Sequence, residues 1–270
     1  MNFLTVVGHI NVDIVLDIEQ IPSFGSEEIR AIDTRLGGTG ANIAKFAAAL
    51  GTPVNLISRI SRKFPEDLLY SLKRDNLRLS LEIGDEDGPI CYIADAKDNQ
   101  IAYMYQGPMN NPGKEYEIGS KYCHFATSNP DWILKLMRKS KSIKVLDPGQ
   151  EIKYRWKKEK LNEALRMADL VMLNEQEFNY LSSFTKIDPE KTIVTLSGKG
   201  AIFRDELIPT EHVPKASSLG AGDMFRAGFY SALYRGKGTR DSIACANKVT
   251  SFYLSNGMNT SIGYEWNKSC

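Results

Sequence analysis

The residues best suited to chemistry lie near the C-terminal end of the chain, where Gly220, Ala221 and Gly222 stand directly before Asp223. Apolar residues then recur at every fourth position, which is typical of a helix. The glycines therefore predict a tight turn at a helix N-terminus, where unpaired N–H groups and the helix dipole favour an anion. An aspartate in the first helical turn stays ionised and can accept a proton beside a bound phosphate. The stretch suits phosphoryl transfer to a hydroxyl; the alternative is a glycine turn in which Asp223 only stabilises the helix.

Length and composition limit what the rest of the chain can be. With 270 residues, 42% of them hydrophobic, it can bury a large core as one domain with a small appendage. The net charge of +1, from 34 basic and 33 acidic residues, argues against a nucleic-acid surface. The four cysteines are scattered without a C-x-x-C pair, so neither a disulfide framework nor a zinc site is indicated. No apolar run could span a membrane and the N-terminus lacks a leader pattern, which predicts a cytoplasmic location.

A second candidate site lies in the N-terminal part of the chain. After a first strand-like run that ends at Gly8, apolar residues alternate with polar ones that include Asn11 and Asp13. A carboxylate inside an otherwise apolar strand is costly to bury unless it binds something. Asp13 is therefore a candidate ligand for sugar hydroxyls, with Asn11 beside it; the alternative is a half-exposed strand edge.

A glycine-rich segment follows at residues 37–42 and leads into a helical pattern that closes at Gly51. Its glycines permit close backbone approach, and Asn42 in the first helical turn can donate and accept hydrogen bonds. The segment is not a dinucleotide-binding fingerprint, because Ile43 stands where the third glycine would be. No Walker A motif occurs in the chain.

Further along the chain, short apolar runs alternate with helical segments. The runs cover residues 124–126, 144–146, 170–173 and 193–196. This alternation predicts an α/β fold with a parallel sheet covered by helices on both faces. Each run ends in polar residues, and sites in such sheets gather at the C-terminal strand ends. A hairpin pattern over residues 90–105, together with residues 29–35, predicts a small extra sheet that projects from the core.

Taken together, these stretches resemble the PfkB/ribokinase family of carbohydrate kinases from residue 6 to about residue 257. Residues 37–51 are similar to the family's glycine-rich N-terminal signature, and residues 219–223 to its C-terminal D-T-x-G-A-G-D signature. The N-x-x-E motif is matched by Asn174 and Glu177, and the nucleotide-strand motif by residues 195–201. Short strings at residues 124–127, 147–150 and 226–229 most resemble archaeal nucleoside kinases within that family.

The resemblance implies a ribokinase-like fold, with a central, mostly parallel sheet, helices on both of its faces and a small β-sheet lid. It implies a single domain over residues 1–270, whose lid is formed by about residues 11–36 and 88–107. Such a lid excludes water, and in relatives it often pairs with a second subunit. A homodimer through the lid is therefore expected, without a nucleic-acid or membrane partner.

The family transfers the γ-phosphoryl group of ATP to a substrate hydroxyl. By resemblance, Asp223 is the general base, and the N–H groups of Gly220, Ala221 and Gly222 form the anion hole. Mg²⁺ and its waters would be placed near the phosphates by Glu177, with Asn174 beside it.

The remaining roles that the resemblance implies concern the two substrates. The nucleotide-binding residues are Asn174, Thr195, Ser197, Gly198, Gly200 and Asn247. The acceptor-binding residues are Asn11, Asp13, Gly38 and Asn42, with Asn129 and Gln150 in the outer part of the acceptor site. Ser217 stands where the family has the aspartate of its monovalent-cation loop, so the resemblance does not carry a monovalent cation over to this chain.

The leading interpretation is an ATP-dependent nucleoside kinase that acts on the ribose 5′-hydroxyl. The rival within the family is a sugar or sugar-phosphate kinase, for which Arg35 and Arg59 could bind the phosphate, although surface solvation is the simpler role for both. The rival from another class is a non-catalytic nucleotide- or sugar-binding regulator. The presence of Asp223 disfavours it, because pure binding needs no general base.

Overall fold

The structure is a computed structural model that describes residues 2–96, 99–211, 213, 220–257 and 270. Its strands are β1 (Leu4–Val7), β2 (Asn11–Ile18), β3 (Ile29–Gly37), β4 (Val54–Ser61), β5 (Leu77–Gly84), β6 (Ile90–Ala96), β7 (Asn99–Tyr105), β8 (Tyr122–Phe125), β9 (Ile143–Leu146), β10 (Leu170–Asn174), β11 (Thr192–Thr195), β12 (Ala201–Phe203) and β13 (Glu206–Ile208). Its helices are α1 (Thr39–Ala49), α2 (Glu66–Tyr70), α3 (Pro130–Lys139), α4 (Ile152–Arg155), α5 (Lys158–Met167), α6 (Glu175–Ser182), α7 (Ala221–Tyr234) and α8 (Thr239–Asn256). Short 3₁₀ turns lie at Gly107–Asn110, Pro189–Lys191 and Ser197–Lys199.

The main sheet has nine strands in the order β13-β12-β11-β10-β9-β8-β1-β4-β5. Neighbours from β11 to β5 run parallel, whereas β12 and β13 form an antiparallel edge. From β1 the chain builds the sheet through β4 and β5 in one direction, and from β8 it builds in the other. The topological switch point therefore lies between β1 and β8, and ligands bind outside the C-terminal strand ends at such a point.

Apolar cores lie on both faces of this sheet. Within β1, Leu4 and Val6 belong to one core and Val7 to the other, as the alternation of a strand requires. Helices α1, α7 and α8 pack together over the first face, and α3 and α5 pack over the second. Alanines fill the buried side of α1, so the helix lies close to α7 and to the sheet. This packing fixes the position of the N-termini of α1 and α7 relative to each other.

The second sheet has four strands in the order β3-β2-β6-β7, and we call it the lid sheet. Its pairings are mixed, because β2 runs parallel to β6 but antiparallel to β3. The face that carries Asp13 and Val15 also carries a small buried cluster, whereas Ile32, Tyr92 and Tyr103 on the opposite face are exposed. Asp13 therefore lies on the covered side of the lid sheet.

The α/β architecture expected from the sequence is confirmed, with a mostly parallel sheet between helices and a smaller lid sheet. Element boundaries shift by one or two residues, since β3 continues to Gly37 and β11 ends at Thr195. The tip of the predicted hairpin, residues 97 and 98, lies outside the described residues. The single-domain division stays a prediction. No helix in the described part of the chain is both long and apolar enough to cross a membrane.

Candidate active site

The Gly-Ala-Gly-Asp stretch lies where α7 begins. Gly220 is the N-cap residue, and its φ of 74° lies in the left-handed region that favours glycine. The turn predicted over Gly220, Ala221 and Gly222 is therefore confined to Gly220, because the other two already belong to the helix. The first N–H groups of any helix lack an intrahelical partner, so this end of α7 still suits an anion.

The Asp223 carboxylate lies in the first turn of α7, beside the start of α1. Its Oδ2 accepts a 2.8 Å hydrogen bond from Nδ2 of Asn42. Burial raises the pKa of Asp223 to about 6, against the opposing effects of the Arg226 guanidinium and the Asn42 hydrogen bond. A carboxylate whose pKa is close to neutral is a stronger base than an ordinary aspartate, which suits proton abstraction from a hydroxyl.

The N-terminus of α1 lies directly against the loop between β1 and β2. Gly38 has a φ of 97°, and a Cβ there would stand 2.6 Å from the carbonyl oxygen of His9. That oxygen accepts a 3.0 Å hydrogen bond from the N–H of Ala41 in the first turn of α1. The glycine-rich segment is therefore required for close backbone contact, which holds Asn42 next to the end of β1.

Asn11 and Asp13 lie at the start of β2, next to the place where Gly38 contacts the loop between β1 and β2. Asn11 pairs with Gly37 of β3, and a Cβ at Gly37 would overlap the Asp13 carboxylate. Burial raises the pKa of Asp13 to about 6, while Arg35 and a hydrogen bond from Asn11 lower it. The Asp13 charge also contributes to the raised pKa of Asp223, so the two carboxylates lie within electrostatic range of each other.

A buried ion pair lies behind the first turn of α7. The guanidinium of Arg226 donates from Nε and Nη2 to the two carboxylate oxygens of Asp147, just after β9, and from Nη1 to the Gly222 carbonyl at 2.9 Å. Burial alone would raise the pKa of Asp147, but Arg226 and His124 hold it below its usual range. The ring of His124 lies between Asp147, at 3.2 Å, and the Tyr230 hydroxyl, at 2.7 Å. This network anchors the α7 N-terminus to the C-terminal end of β9.

Glu177 and Asn174 join β10 to α6 through a capping box. Oε2 of Glu177 accepts from the Asn174 N–H at 2.8 Å, and Oδ1 of Asn174 accepts from the Glu177 N–H at 2.8 Å. Burial raises the pKa of Glu177 to about 7, and the Asp147 charge adds to this rise. A nearby cation would stabilise the buried Glu177 carboxylate in its ionised form. Glu177 and Asn174 are therefore candidates for binding a metal ion.

The Mg²⁺ implied by the resemblance fits these two residues as oxygen donors. Among the described residues, no group of three or more His, Cys, Asp and Glu side chains is placed to hold a metal ion. Magnesium usually keeps several waters and needs only one or two carboxylates besides substrate phosphates. Glu177 and Asn174 could therefore bind the hydrated ion, but they do not form a complete protein cage.

The residues assigned to the nucleotide come together at the far end of the main sheet. Thr195 ends β11, and Ser197 and Gly198 belong to the 3₁₀ turn that follows it. Gly200 has a φ of 107°, and a Cβ there would stand 2.2 Å from the Ile208 carbonyl oxygen. The same oxygen accepts a 2.9 Å hydrogen bond from Nδ2 of Asn247 in α8. Gly200 and Asn247 therefore both lie next to Ile208, the last residue of β13.

The two residues assigned to the outer part of the acceptor site, Asn129 and Gln150, differ from each other in burial and in hydrogen bonding. Asn129 is the N-cap of α3, where its Oδ1 accepts from the N–H groups of Asp131 and Trp132 at 2.9 and 3.2 Å. Its Nδ2 donates to the Asn110 carbonyl at 2.5 Å, so its polar atoms already serve the fold. Gln150 is exposed after β9. Ser217, the residue of the monovalent-cation loop, lies outside the described residues.

The structure also shows polar residues near the site that the sequence patterns did not single out. His9, Gln106 and Glu151 are buried together beside the end of β1. The sequence did contain a signal for Arg226, because a charged residue at a position on the apolar side of α7 indicates a buried partner. Arg59 is not a solvated surface residue, because it is mostly buried and pairs with Glu82 at 3.2 Å.

An anion-binding helix end, a carboxylate with a raised pKa and polar groups at the switch point of a parallel sheet are typical of phosphotransferases that act on an alcohol. The model of the pfkB family carbohydrate kinases matches residues 1–261. The chain therefore belongs to the pfkB family of carbohydrate kinases. It is a phosphotransferase with an alcohol acceptor, and kinases of this family use ATP.

Individual relatives agree with this assignment. A nucleoside kinase from Thermoplasma acidophilum is 31% identical over 241 residues, which cover 87% of this chain and 83% of that protein. A nucleoside kinase from Methanothermobacter thermautotrophicus is 26% identical, with 93% of this chain and 89% of that protein covered. The crystal structure of the Methanocaldococcus jannaschii nucleoside kinase is similar with a TM-score of 0.83 at 27% identity, and 99% of each chain is covered.

Proposed function

We propose that the chain transfers the γ-phosphoryl group of ATP to the 5′-hydroxyl of a nucleoside. The observation that carries this proposal is the hydrogen bond between Asn42 and Asp223. It joins α1, which contributes a residue assigned to the acceptor, to the N-terminus of α7, which suits an anion. The relatives named nucleoside kinases, at 31% and 26% identity, support a nucleoside as the acceptor.

In the proposed reaction, Asn11, Asp13 and Asn42 hold the ribose, with its 5′-hydroxyl directed toward Asp223. Asp223 takes the hydroxyl proton as the new bond from oxygen to the γ-phosphorus forms. The bond from that phosphorus to the β,γ-bridging oxygen breaks, and ADP leaves with the electron pair. The N–H groups at the start of α7 stabilise the charge on the transferring group.

The nucleotide would lie between the 3₁₀ turn after β11 and the N-terminus of α7. Thr195, Ser197 and Gly198 would contact it from the sheet side, and Gly200 and Asn247 from the α8 side. Glu177 and Asn174 would bind Mg²⁺ through its waters. When bound, this ion neutralises charge on the phosphates.

The experiment is an assay of ADP production with Mg-ATP against nucleosides, pentoses, hexoses and sugar phosphates. We expect turnover on nucleosides, and we expect Asp223→Asn to lower it by roughly 10²–10⁴, the range for loss of a general base. Asp241→Asn is the matched control, because Asp241 is also a first-turn aspartate but lies exposed at the start of α8. Turnover on sugars alone would reject the nucleoside acceptor, and full activity of Asp223→Asn would reject the general base.

Arg35 favours a second candidate, a sugar-phosphate kinase. It is the register partner of Asp13 across β2 and β3, and its charge acts on the Asp13 carboxylate. A cation there could bind a phosphate already present on the acceptor. Arg59 does not support this candidate, because its guanidinium donates to the Pro108 and Asn111 carbonyls. Higher kcat/KM on a sugar phosphate than on any nucleoside would favour this second function.

The lid sheet also supports a homodimer. Its outer face carries Ile32, Tyr103 and Tyr105, which are 63%, 60% and 50% exposed. An apolar face of this kind suits contact with a second copy. Light scattering should give the mass of a dimer for the wild type and of a monomer for Tyr103→Lys. Tyr70→Lys, on the exposed side of α2, should leave the mass unchanged.

A further inference from the structure

Three buried polar side chains meet beside the topological switch point of the main sheet. His9 follows β1, Gln106 follows β7 at the foot of the lid sheet, and Glu151 lies four positions after Asp147. Their exposed fractions are only 1%, 7% and 5%. We call His9, Gln106 and Glu151 the His9 cluster.

The cluster is held together around one carboxylate oxygen. Oε1 of Glu151 accepts from Nε2 of Gln106 at 2.5 Å and from the Tyr154 hydroxyl at 2.9 Å. The same oxygen lies 3.8 Å from Nδ1 of His9. Gln106, Tyr154 and Glu151 are therefore fixed relative to one another by hydrogen bonds, and the His9 ring lies beside them.

One polar atom of each member is left over. Nε2 of His9, Oε1 of Gln106 and Oε2 of Glu151 are buried without a hydrogen bond of full geometry among the described residues, although the Gln106 side chain lies close enough to His9 to raise its pKa. Nε of Arg155 lies 3.8 Å from Oε2 of Glu151, so it balances the charge of that carboxylate but is too distant for a hydrogen bond. Buried polar atoms without a partner are costly, and three of them in one place call for a ligand. A ligand that forms hydrogen bonds with these atoms would remove that cost.

The chemistry of these atoms selects a ligand that donates hydrogen bonds. The Glu151 carboxylate and the Gln106 carbonyl oxygen can only accept. Burial lowers the pKa of His9, and the Glu151 charge only partly offsets this effect, so the ring is neutral. A neutral ring nitrogen can donate or accept, so it adapts to either kind of ligand atom.

The cluster adjoins the residues proposed to hold the ribose. Burial, together with the charges of Asp13 and Glu151, raises the pKa of the Cys91 thiol to about 12. Cys91 therefore lies near both carboxylates, and it is the register partner of Asp13 across β2 and β6. The backbone of His9 also contacts Gly38 at the start of α1. A ligand held at Asp13 could thus extend to Glu151.

We propose that Gln106 and Glu151 accept hydrogen bonds from an N–H group of the nucleobase of the acceptor, with His9 completing the contact. This inference rests on the proposed function, because it requires a nucleoside in the acceptor site. The base would then be selected by its N–H donors, and the ribose by Asn11 and Asp13.

The test compares adenosine, inosine and purine riboside as acceptors. Adenosine carries an exocyclic amine and inosine a ring N–H, whereas purine riboside has neither. We expect the wild type to use purine riboside with a kcat/KM about 10-fold or more lower, mostly through KM, because a hydrogen bond to a charged group is lost. Glu151→Gln and Gln106→Met should each reduce this preference. Glu115→Gln, on an exposed ion pair, should leave it unchanged.

The outcomes separate this inference from the proposed function. Equal efficiency on all three ribosides would overturn the inference while the nucleoside kinase activity stands. If no riboside is phosphorylated, the proposed function fails and the inference fails with it. Thermal unfolding identifies a variant that does not fold, and the other cluster variant then decides whether the preference depends on these residues.

Discussion

Nδ2 of Asn42 lies 2.8 Å from Oδ2 of Asp223, although 181 positions of sequence separate the two residues. This contact joins the N-terminal turns of α1 and α7, which pack against each other on one face of the main sheet. Because the hydrogen bond favours the ionised carboxylate, Asn42 tunes the basicity of Asp223 as well as its position.

We predict that kcat/KM falls as the pH drops through about 6, where Asp223 and Asp13 both take up a proton. Asn42→Asp should move this acid limb to higher pH, because a second carboxylate at 42 disfavours the ionised form of Asp223. Asn42→Ala should move it less, since only the hydrogen bond is lost. The measurement is a pH–rate profile for the three proteins, and an acid limb at the same pH in all of them would contradict the prediction.

Asp223→Asn should stabilise the folded protein at neutral pH. The folded-state pKa of Asp223 is raised to about 6, above its unfolded value, so its ionised form opposes folding. This cost is absent below the unfolded pKa of about 4 and is fully present above about pH 6. Because Asp223 is only partly buried, solvent screening reduces the free energy that corresponds to its pKa shift. We therefore expect Asp223→Asn to raise the free energy of unfolding by about 1–2 kcal/mol at pH 7. Denaturant unfolding at pH 4 and pH 7 checks this, and a gain that is larger at pH 4 would contradict it.

Gly222 tests how the first turn of α7 is held in place. A Cβ at this position would stand 2.8 Å from Nη1 of Arg226, which donates to the Gly222 carbonyl. Gly222→Ala should therefore displace the guanidinium and cost about 1–3 kcal/mol, with Gly222→Val worse and turnover reduced in both. Gly119→Ala is the control, because no atom lies within 4 Å of its added Cβ among the described residues. Equal stability of Gly222→Ala and the wild type would reject this packing role.

The Arg226–Asp147 pair should show the asymmetry of a buried ion pair. Arg226→Met leaves the Asp147 carboxylate buried without its charge partner, at a cost of about 3–5 kcal/mol. Adding Asp147→Asn should recover part of this loss, because the amide oxygen can still accept from His124 without carrying a charge. Unfolding free energies of the two variants decide the matter. A double variant no more stable than Arg226→Met would show that charge burial is not the cause.

The sequence was most informative where the signal is local. Glycines before a helical pattern predicted the starts of α1 and α7, and alternating runs predicted the parallel sheet. The same logic could have placed Asn129, since an asparagine before a proline is typical of a helix N-cap. Its assignment to the acceptor site stays a prediction, beside the N-cap role that the structure shows.

Long-range partners could not be predicted in this way. Arg226 stands out on an apolar helix face, but its partner Asp147 lies 79 positions earlier, and no local pattern connects them. The His9 cluster joins a strand end, the end of a lid strand and a loop after β9, which only the folded sheet brings together. The steric reason for Gly222 also required the structure, because the side chain that fills its space comes from Arg226.

Glu177→Gln tests the proposed magnesium site without removing the helix cap. Glutamine can keep the capping box with Asn174, so α6 should remain intact, whereas Glu177→Ala keeps the Asn174 cap but loses the reciprocal hydrogen bond of the box together with the charge. We expect activity to require Mg²⁺, and we expect Glu177→Gln to need roughly 10–100-fold more Mg²⁺ for half-maximal turnover. The measurement is a Mg²⁺ titration of turnover, with unfolding curves to confirm that the variant folds. Undiminished wild-type turnover in excess EDTA, or an unchanged Mg²⁺ requirement in Glu177→Gln, would remove Glu177 from the metal site.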